Sequence, residues 1–186
     1  MDDPPAPDPD RRARASRPIL FGILLLAVGV LVLDQLTKWW AESTMVPGEA
    51  TPVLGTFIQW RLIYNPGAAF GMAADFTWIL TCFAAVAVVA LAVFATRVVT
   101  VSWAIGVGAL LGGAVSHLGD RLLREPGFAR GHIVDFIDYN GWFIGNVADI
   151  ALVGGVAYLV LLTFLGIDHR PAATPVPTPG SVADEG

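Results

Sequence analysis

Four long apolar segments, at about residues 18–38, 76–96, 98–118 and 146–167, decide which structures are open to this chain. Each is close to the roughly 20 residues that a helix needs to cross a bilayer. Inside hydrocarbon every backbone N–H and C=O must find its partner within the chain, which selects helices. The composition agrees: 55% of residues are hydrophobic, 15% are charged and the mean hydropathy is +0.64. That is far from the balance of an ordinary soluble domain. The expected fold is an all-α integral membrane protein of four transmembrane helices with a small extracytoplasmic β-strand region. Residues 1–17 and 169–186 are polar and proline-rich, so they are expected to be disordered cytoplasmic tails around a membrane domain at 18–168. No cleavable signal peptide is expected, because the first apolar run follows a Pro- and Asp-rich stretch and continues into polar residues.

Orientation is read from the basic residues that flank the spans. Arg11, Arg12, Arg14 and Arg17 precede the first, Arg97 lies in the tight second link, and Arg170 follows the fourth. Lys38, Arg61, Arg121, Arg124 and Arg130 fall on the other side, so the count is nearly even. The arginine cluster ahead of the first helix places the N-terminus in the cytoplasm. The loops 39–75 and 119–145 then emerge on the outer face together with Asp34, Lys38, Asn65, Asp120, Arg121, Asp135, Asn146 and Asp149. Polar residues scattered along the chain become one neighbourhood.

Several function classes are excluded by what the chain lacks. Cys82 is the single cysteine, so no disulfide within the chain and no zinc-ligand cysteine pair is possible. His117, His132 and His169 are dispersed without the HExxH spacing of a zinc hydrolase. A net charge of -5 gives no basic surface for nucleic acid. In the stretch 56–65, Ile58, Trp60, Leu62 and Tyr64 alternate with Phe57, Gln59, Arg61 and Ile63, the period of an interfacial strand. Gly108, Gly112 and Ser116 recur every four residues in span three and permit close helix packing.

Carboxylates beside membrane spans are costly and point to function. Asp34 stands four residues before Lys38, the spacing of a helical ion pair, and is expected to anchor the helix end. Asp120 adjoins Arg121 and is expected to form a structural ion pair across a loop, while Asp75 suits a helix N-terminus. Asn146 and Asp149 have the spacing of a capping box with an acid in the first turn. A cap does not explain Asp135, framed by Ile133, Val134, Phe136 and Ile137, where desolvation raises a carboxylate pKa. Two such carboxylates at a half-dry interface share one proton, the chemistry of an aspartic protease. Spacing permits Asp135 and Asp149 to meet but does not prove it. The rival class is a non-enzymatic four-helix transporter or assembly factor that uses Asp149 for proton or ion handling.

Five motifs occur in order: DQLTK (34–38), NPGAAFG (65–71), GGAVSHLGDR (112–121), GHIVDF (131–136) and NVAD (146–149). Together they resemble the lipoprotein signal peptidases, or type II signal peptidases, of bacteria. The resemblance implies a cofactor-free and metal-free aspartyl endopeptidase of the bacterial inner membrane. Such an enzyme cuts diacylglyceryl-modified prolipoproteins just before the lipidated cysteine, on the extracytoplasmic face, with both termini cytoplasmic. It implies Asp135 and Asp149 as the catalytic pair. Asn65, Gly67, Arg121 and Asn146 are implied as substrate- and lipid-binding residues, and Asp34, Lys38 and Asp120 as supporting ones. The expected partners are these prolipoproteins and membrane lipid, with the chain acting as a monomer. The chain departs from the family pattern at Ser116-His117, usually Gly-Asn, and at Gly145, usually Phe, which is expected to loosen the entry to span four. It also carries an extra acid, Asp138.

Overall fold

In a computed structural model of the chain, residues 15–67 and 77–170 are described. Asp75, residues 68–71 of NPGAAFG and the greater part of both tails lie outside the described residues. The elements are α1 (Arg17–Thr44), β1 (Thr51–Leu54), β2 (Ile58–Asn65), α2 (Thr77–Ala95), α3 (Val101–Leu123), β3 (Ile133–Tyr139), β4 (Phe143–Gly145) and α4 (Val147–Phe164). All four helices are long and apolar enough to cross a membrane. The protein is an integral membrane protein, with four such helices and one small antiparallel sheet among the described residues.

The centre of the bundle is α3. Of its residues Ala104, Gly106, Val107, Gly108, Leu110, Leu111, Gly112, Gly113 and Ala114 are buried, whereas α2 buries only Thr77, Thr81 and Ala95. The small residues explain the difference. A Cβ on Gly112 would lie 2.6 Å from the Ala27 carbonyl oxygen of α1, and one on Gly113 would lie 2.9 Å from that of Ala148 in α4. Absent side chains on two faces of α3 therefore let both neighbours approach to backbone contact. The helix α2 is apolar all round and leaves Phe83, Val86, Val89 and Val93 exposed, as a surface facing lipid does.

Helix α1 continues through residues expected in the first loop. It has 28 residues, about 42 Å at 1.5 Å each, against roughly 30 Å of hydrocarbon. Asp34 and Lys38 accordingly lie inside the helix, not at its end. The overhang has a physical cause: Ala41 is fully buried in a second core with Leu62, Val134, Phe136 and Ile137. Trp40 meets Trp60 edge-on at 5.4 Å between ring centroids and Phe136 at 6.2 Å. Continuing the helix lays this apolar face against the sheet.

The sheet has the order β1-β2-β3-β4, antiparallel throughout. In β2 the expected alternation holds at Leu62, which is buried, and fails at Tyr64, which is exposed. The register of β2 against β3 shifts between Trp60 and Ile63, and that irregularity breaks the period of two. The expected loop 119–145 contains the end of α3 and both remaining strands. Strand β3 reads poorly as a strand because it is covered on both faces: Val134 to Asp138 are all buried. Its turn is legible in Asn140-Gly141, where both residues have positive φ (56° and 77°) and Trp142 N–H donates to Tyr139 O. That is the hairpin chemistry of an Asn-Gly pair.

The bundle has two unlike ends. The C-terminal ends of α1 and α3 and the start of α4 meet the sheet. At the other end Ala15, Thr96, Val99 and His169 exchange backbone hydrogen bonds, and His169 packs between Phe94 and Trp103.

Candidate active site

The hairpin β3–β4 returns the chain so that Gly145 pairs with Ile137, and Asn146 then begins α4 beside the middle of β3. Asn146 is 1% exposed and its side chain is fully used. Its Nδ2 donates to Asp135 Oδ1 (2.7 Å) and Val134 O (3.2 Å). Its Oδ1 accepts from Asp149 N–H (3.1 Å), and its own backbone N–H donates to Asp149 Oδ2 (2.9 Å). The capping box expected from the sequence is thus formed, and one residue joins both carboxylates.

Asn65 holds the other side of Asp135. Gly67 N–H donates to Asn65 Oδ1 at 2.8 Å, a local turn that fixes which way the amide points. The amide nitrogen is thereby turned to Asp135 Oδ2, also at 2.8 Å. Gly67 has φ +116°, a conformation that side-chain-bearing residues rarely adopt. Both oxygens of Asp135 therefore accept an amide N–H. Burial nonetheless dominates and pushes its pKa up to about 7; the Asn65 and Asn146 amides pull it down and the neighbouring Asp149 charge pushes it further up.

Asp34, Lys38 and Asp120 form a separate group beneath this pair. Lys38 Nζ lies 2.5 Å from Asp34 Oδ2 and 2.6 Å from Asp120 Oδ2, with Lys38 and Asp34 fully buried. Ser116 Oγ donates to Asp34 Oδ2, and Gln35 Nε2 donates to Ser116 Oγ and Asp120 Oδ1. Asp34 Oδ1 accepts the backbone N–H of Ala148, in the first turn of α4. The helical pair foreseen at 34 and 38 is present, but it reaches much further: it joins α1, α3 and the start of α4. Asp120 pairs with Lys38 and Arg124, not with its neighbour Arg121.

Arg121 is buried, and its Nη1 donates to the carbonyls of Asn65 (3.1 Å) and Gly131 (2.9 Å). It ties the end of β2 to Gly131, two residues before β3. Gly131 must be glycine, since a Cβ there would lie 2.1 Å from Asp120 O. Gly145 stands at the entry to α4 in close contact with its neighbours. A Cβ at 145 would lie 2.7 Å from Asp149 Oδ2 and 2.5 Å from a Phe143 ring carbon, so the missing side chain makes room for the carboxylate.

Asp138 stands apart from the pair. Its Oδ1 accepts Gly141 N–H (2.6 Å), which closes the β3–β4 turn, and its Oδ2 lies 3.2 Å from Arg61 Nε. That contact has the distance of an ion pair and not the alignment of a hydrogen bond. Sequence reasoning missed Gln35 and the Arg124–Glu42 pair, where Arg124 Nη1 donates to both carboxylate oxygens. Both partners in that pair, like Gln35 and Asp120, are more than 80 residues apart, so no local pattern announces them.

Two carboxylates joined through one asparagine, at one end of four membrane-length helices, are the arrangement expected of an integral membrane aspartic peptidase, and the comparisons show that class. Residues 26–165 match the family described as signal peptidase (SPase) II. The chain belongs to that family. It is 43% identical over 166 residues to the lipoprotein signal peptidase of Mycobacterium tuberculosis, covering 89% of this chain and 79% of that one. It is 38% identical over 167 residues to the lipoprotein signal peptidase of Rhodococcus jostii, covering 90% and 83%. The fold is similar to two solved structures of a bacterial membrane enzyme, obtained by the in meso method at 2.3 and 1.9 Å. The first has a TM-score of 0.63 and 26% identity, covering 88% of this chain and 98% of that one. The second has a TM-score of 0.62 and 28% identity, covering 82% and 96%.

Proposed function

We propose that this enzyme removes the signal peptide from diacylglyceryl-modified prolipoproteins just before the lipidated cysteine, with Asp135 and Asp149 as its catalytic pair. The observation that carries the reading is the double attachment of Asn146. Its amide donates to Asp135 and its backbone N–H to Asp149, which aligns two carboxylates from different elements. Family membership supports the reaction, and the exposed apolar faces beside the pair suit a substrate that arrives from lipid.

The chemistry follows from one shared proton. The ionised carboxylate takes a proton from water as its oxygen adds to the scissile carbonyl carbon, and the protonated one gives its proton to the carbonyl oxygen. The resulting diol collapses: one hydroxyl returns a proton to the carboxylate that gave one, and the other acid protonates the leaving nitrogen as the C–N bond breaks. One water is consumed and the pair regains its starting state. Asn65, Gly67 and Arg121 hold the site's walls, and Asp34, Lys38 and Asp120 hold the start of α4 in place.

In the membrane, the arginines ahead of α1 favour a cytoplasmic N-terminus, which sets the sheet and the pair on the outer face of the cytoplasmic membrane. On this reading the enzyme acts as a monomer beside its lipid-anchored substrate. The transporter reading needs a carboxylate with access to both ends of the bundle. Among the described residues, the buried acids Asp34, Asp120, Asp135 and Asp138 all lie at the sheet end.

A lipidated precursor incubated with the enzyme in detergent is cut before its modified cysteine, while the same precursor without diacylglycerol is spared. Equal cleavage of the two forms overturns the substrate assignment. The pH dependence is also defined. Burial raises Asp135 from the ordinary carboxylate value of 3.8 to about 7, so the pair loses its shared proton as pH rises through about 7. Processing falls on that alkaline side, and a rate independent of pH between about 5 and about 9 contradicts the shared proton. Between 3.8 and about 7 the folded protein binds more protons at Asp135 than the unfolded chain, so stability falls as pH rises through that window.

A further inference from the structure

His117 lies on α3 facing the start of α4: its Nε2 is hydrogen-bonded to Asn146 Oδ1 at 3.2 Å and stands at ion-pair distance, 3.5 Å, from Asp149 Oδ1. The Asn146 amide cannot be turned round without loss. Its nitrogen serves two acceptors, Asp135 Oδ1 and Val134 O, and its oxygen accepts the Asp149 backbone N–H. The atom presented to His117 is therefore an acceptor, and Nε2 must carry a hydrogen. This holds for the neutral Nε2–H tautomer and for the imidazolium alike.

The two carboxylates are consequently unlike. Asp149 Oδ2 accepts the Asn146 backbone N–H, and Oδ1 faces the Nε2–H of His117. Asp149 is partly exposed, with 22% of its side chain accessible, and His117 is its only ion-pair partner among the described residues. Asp135 is 2% exposed, and its hydrogen-bond donors among the described residues are the neutral amides of Asn65 and Asn146. Two buried cations act on Asp135 through space and both are engaged elsewhere, Lys38 by Asp34 and Asp120 and Arg121 by the carbonyls of Asn65 and Gly131.

We propose that His117 is a positioning residue that assigns the roles within the pair. Its Nε2–H, held between Asn146 and Asp149, orients Asp149 as the carboxylate that takes the proton from water and leaves Asp135 as the acid that protonates the scissile carbonyl. The inference rests on Asp135 and Asp149 being the catalytic pair. It adds a third proton-bearing group to the site and fixes the direction of proton movement. Water gives its proton to Asp149, Asp135 gives its own to the carbonyl oxygen, and on collapse Asp149 protonates the leaving nitrogen while Asp135 recovers a proton from the diol.

The test compares His117→Gln with His117→Met in the full-length enzyme, on a lipidated precursor in detergent. The Gln amide offers an N–H at nearly the reach of Nε2, whereas Met has similar length and no donor. With Met, kcat falls by about 10-fold to 100-fold while KM stays within about twofold, as for a lost orienting contact. Gln restores kcat to within about threefold of the parent enzyme. Thermal unfolding of both variants is followed in parallel. Equal kcat for the two variants, or a loss confined to KM, overturns the assignment even where one of them is less stable. A failure of the underlying reading is distinguishable, because it shows as full activity in Asp149→Asn whatever the variants at 117 do.

Discussion

Replacing either Asp135 or Asp149 by Asn abolishes processing, with kcat at least about 10³-fold lower in each variant and no further loss when both are replaced. Each carboxylate has one task that an amide cannot perform, and the two tasks belong to one proton cycle, so removing one disables both. Asn at 135 also faces its amide nitrogen or oxygen towards the Asn65 and Asn146 donors, and one of those two contacts is lost. Asn at 149 can keep the cap, since its carbonyl oxygen still accepts the Asn146 N–H. Asp138→Asn is the control: it retains the turn contact to Gly141 N–H and processes at a rate within about threefold of the parent. Precursor cleavage followed by gel shift, with folding verified by thermal unfolding in detergent, checks all three. Full cleavage by a folded Asp135 or Asp149 variant removes the pair from the mechanism.

The second large effect concerns stability. Lys38→Met leaves Asp34 and Asp120 buried without the cation that lies between them, and a broken buried ion pair costs about 3–5 kcal/mol. Asp120 keeps Arg124, and Asp34 keeps Ser116 Oγ and Ala148 N–H, so the group is weakened and not emptied. The consequence reaches the active site, because Ala148 adjoins Asp149 and Asp34 is what holds that first turn. The variant therefore unfolds at a markedly lower temperature in detergent and also processes more slowly. An unchanged unfolding temperature shows that Lys38 is dispensable to the packing of α1, α3 and α4.

The parts of the fold that sequence reasoning foresaw depend on local physics. Span length and apolarity announce four helices, and Asn146 and Asp149 announce their own cap because both partners lie within one turn. Gly108 and Gly112 announce close packing, and the structure supplies the neighbour, α1, which their spacing could not. What was missed depends on distant partners. The last turns of α1 are helical because Trp40 and Ala41 meet Trp60, Phe136 and Leu62 of the sheet. Strand β3 escaped notice because both its faces are buried and alternation vanishes, although Asn140-Gly141 marked its turn. Asp34 looked like an anchor for its own helix, but its acceptor oxygen serves the start of α4, 114 residues away. Asp135 was singled out by its apolar neighbours, and the same burial that made it conspicuous is what raises its pKa.

The most direct measurement is a structure of the enzyme with a substrate-like lipopeptide in which a non-cleavable hydroxyethylene replaces the scissile peptide bond. That hydroxyl stands where the diol oxygen forms. It is expected within hydrogen-bond distance, about 2.5–3.0 Å, of a carboxylate oxygen of both Asp135 and Asp149. A hydroxyl bound away from the pair, or touching one carboxylate while the other faces lipid, contradicts the catalytic pair.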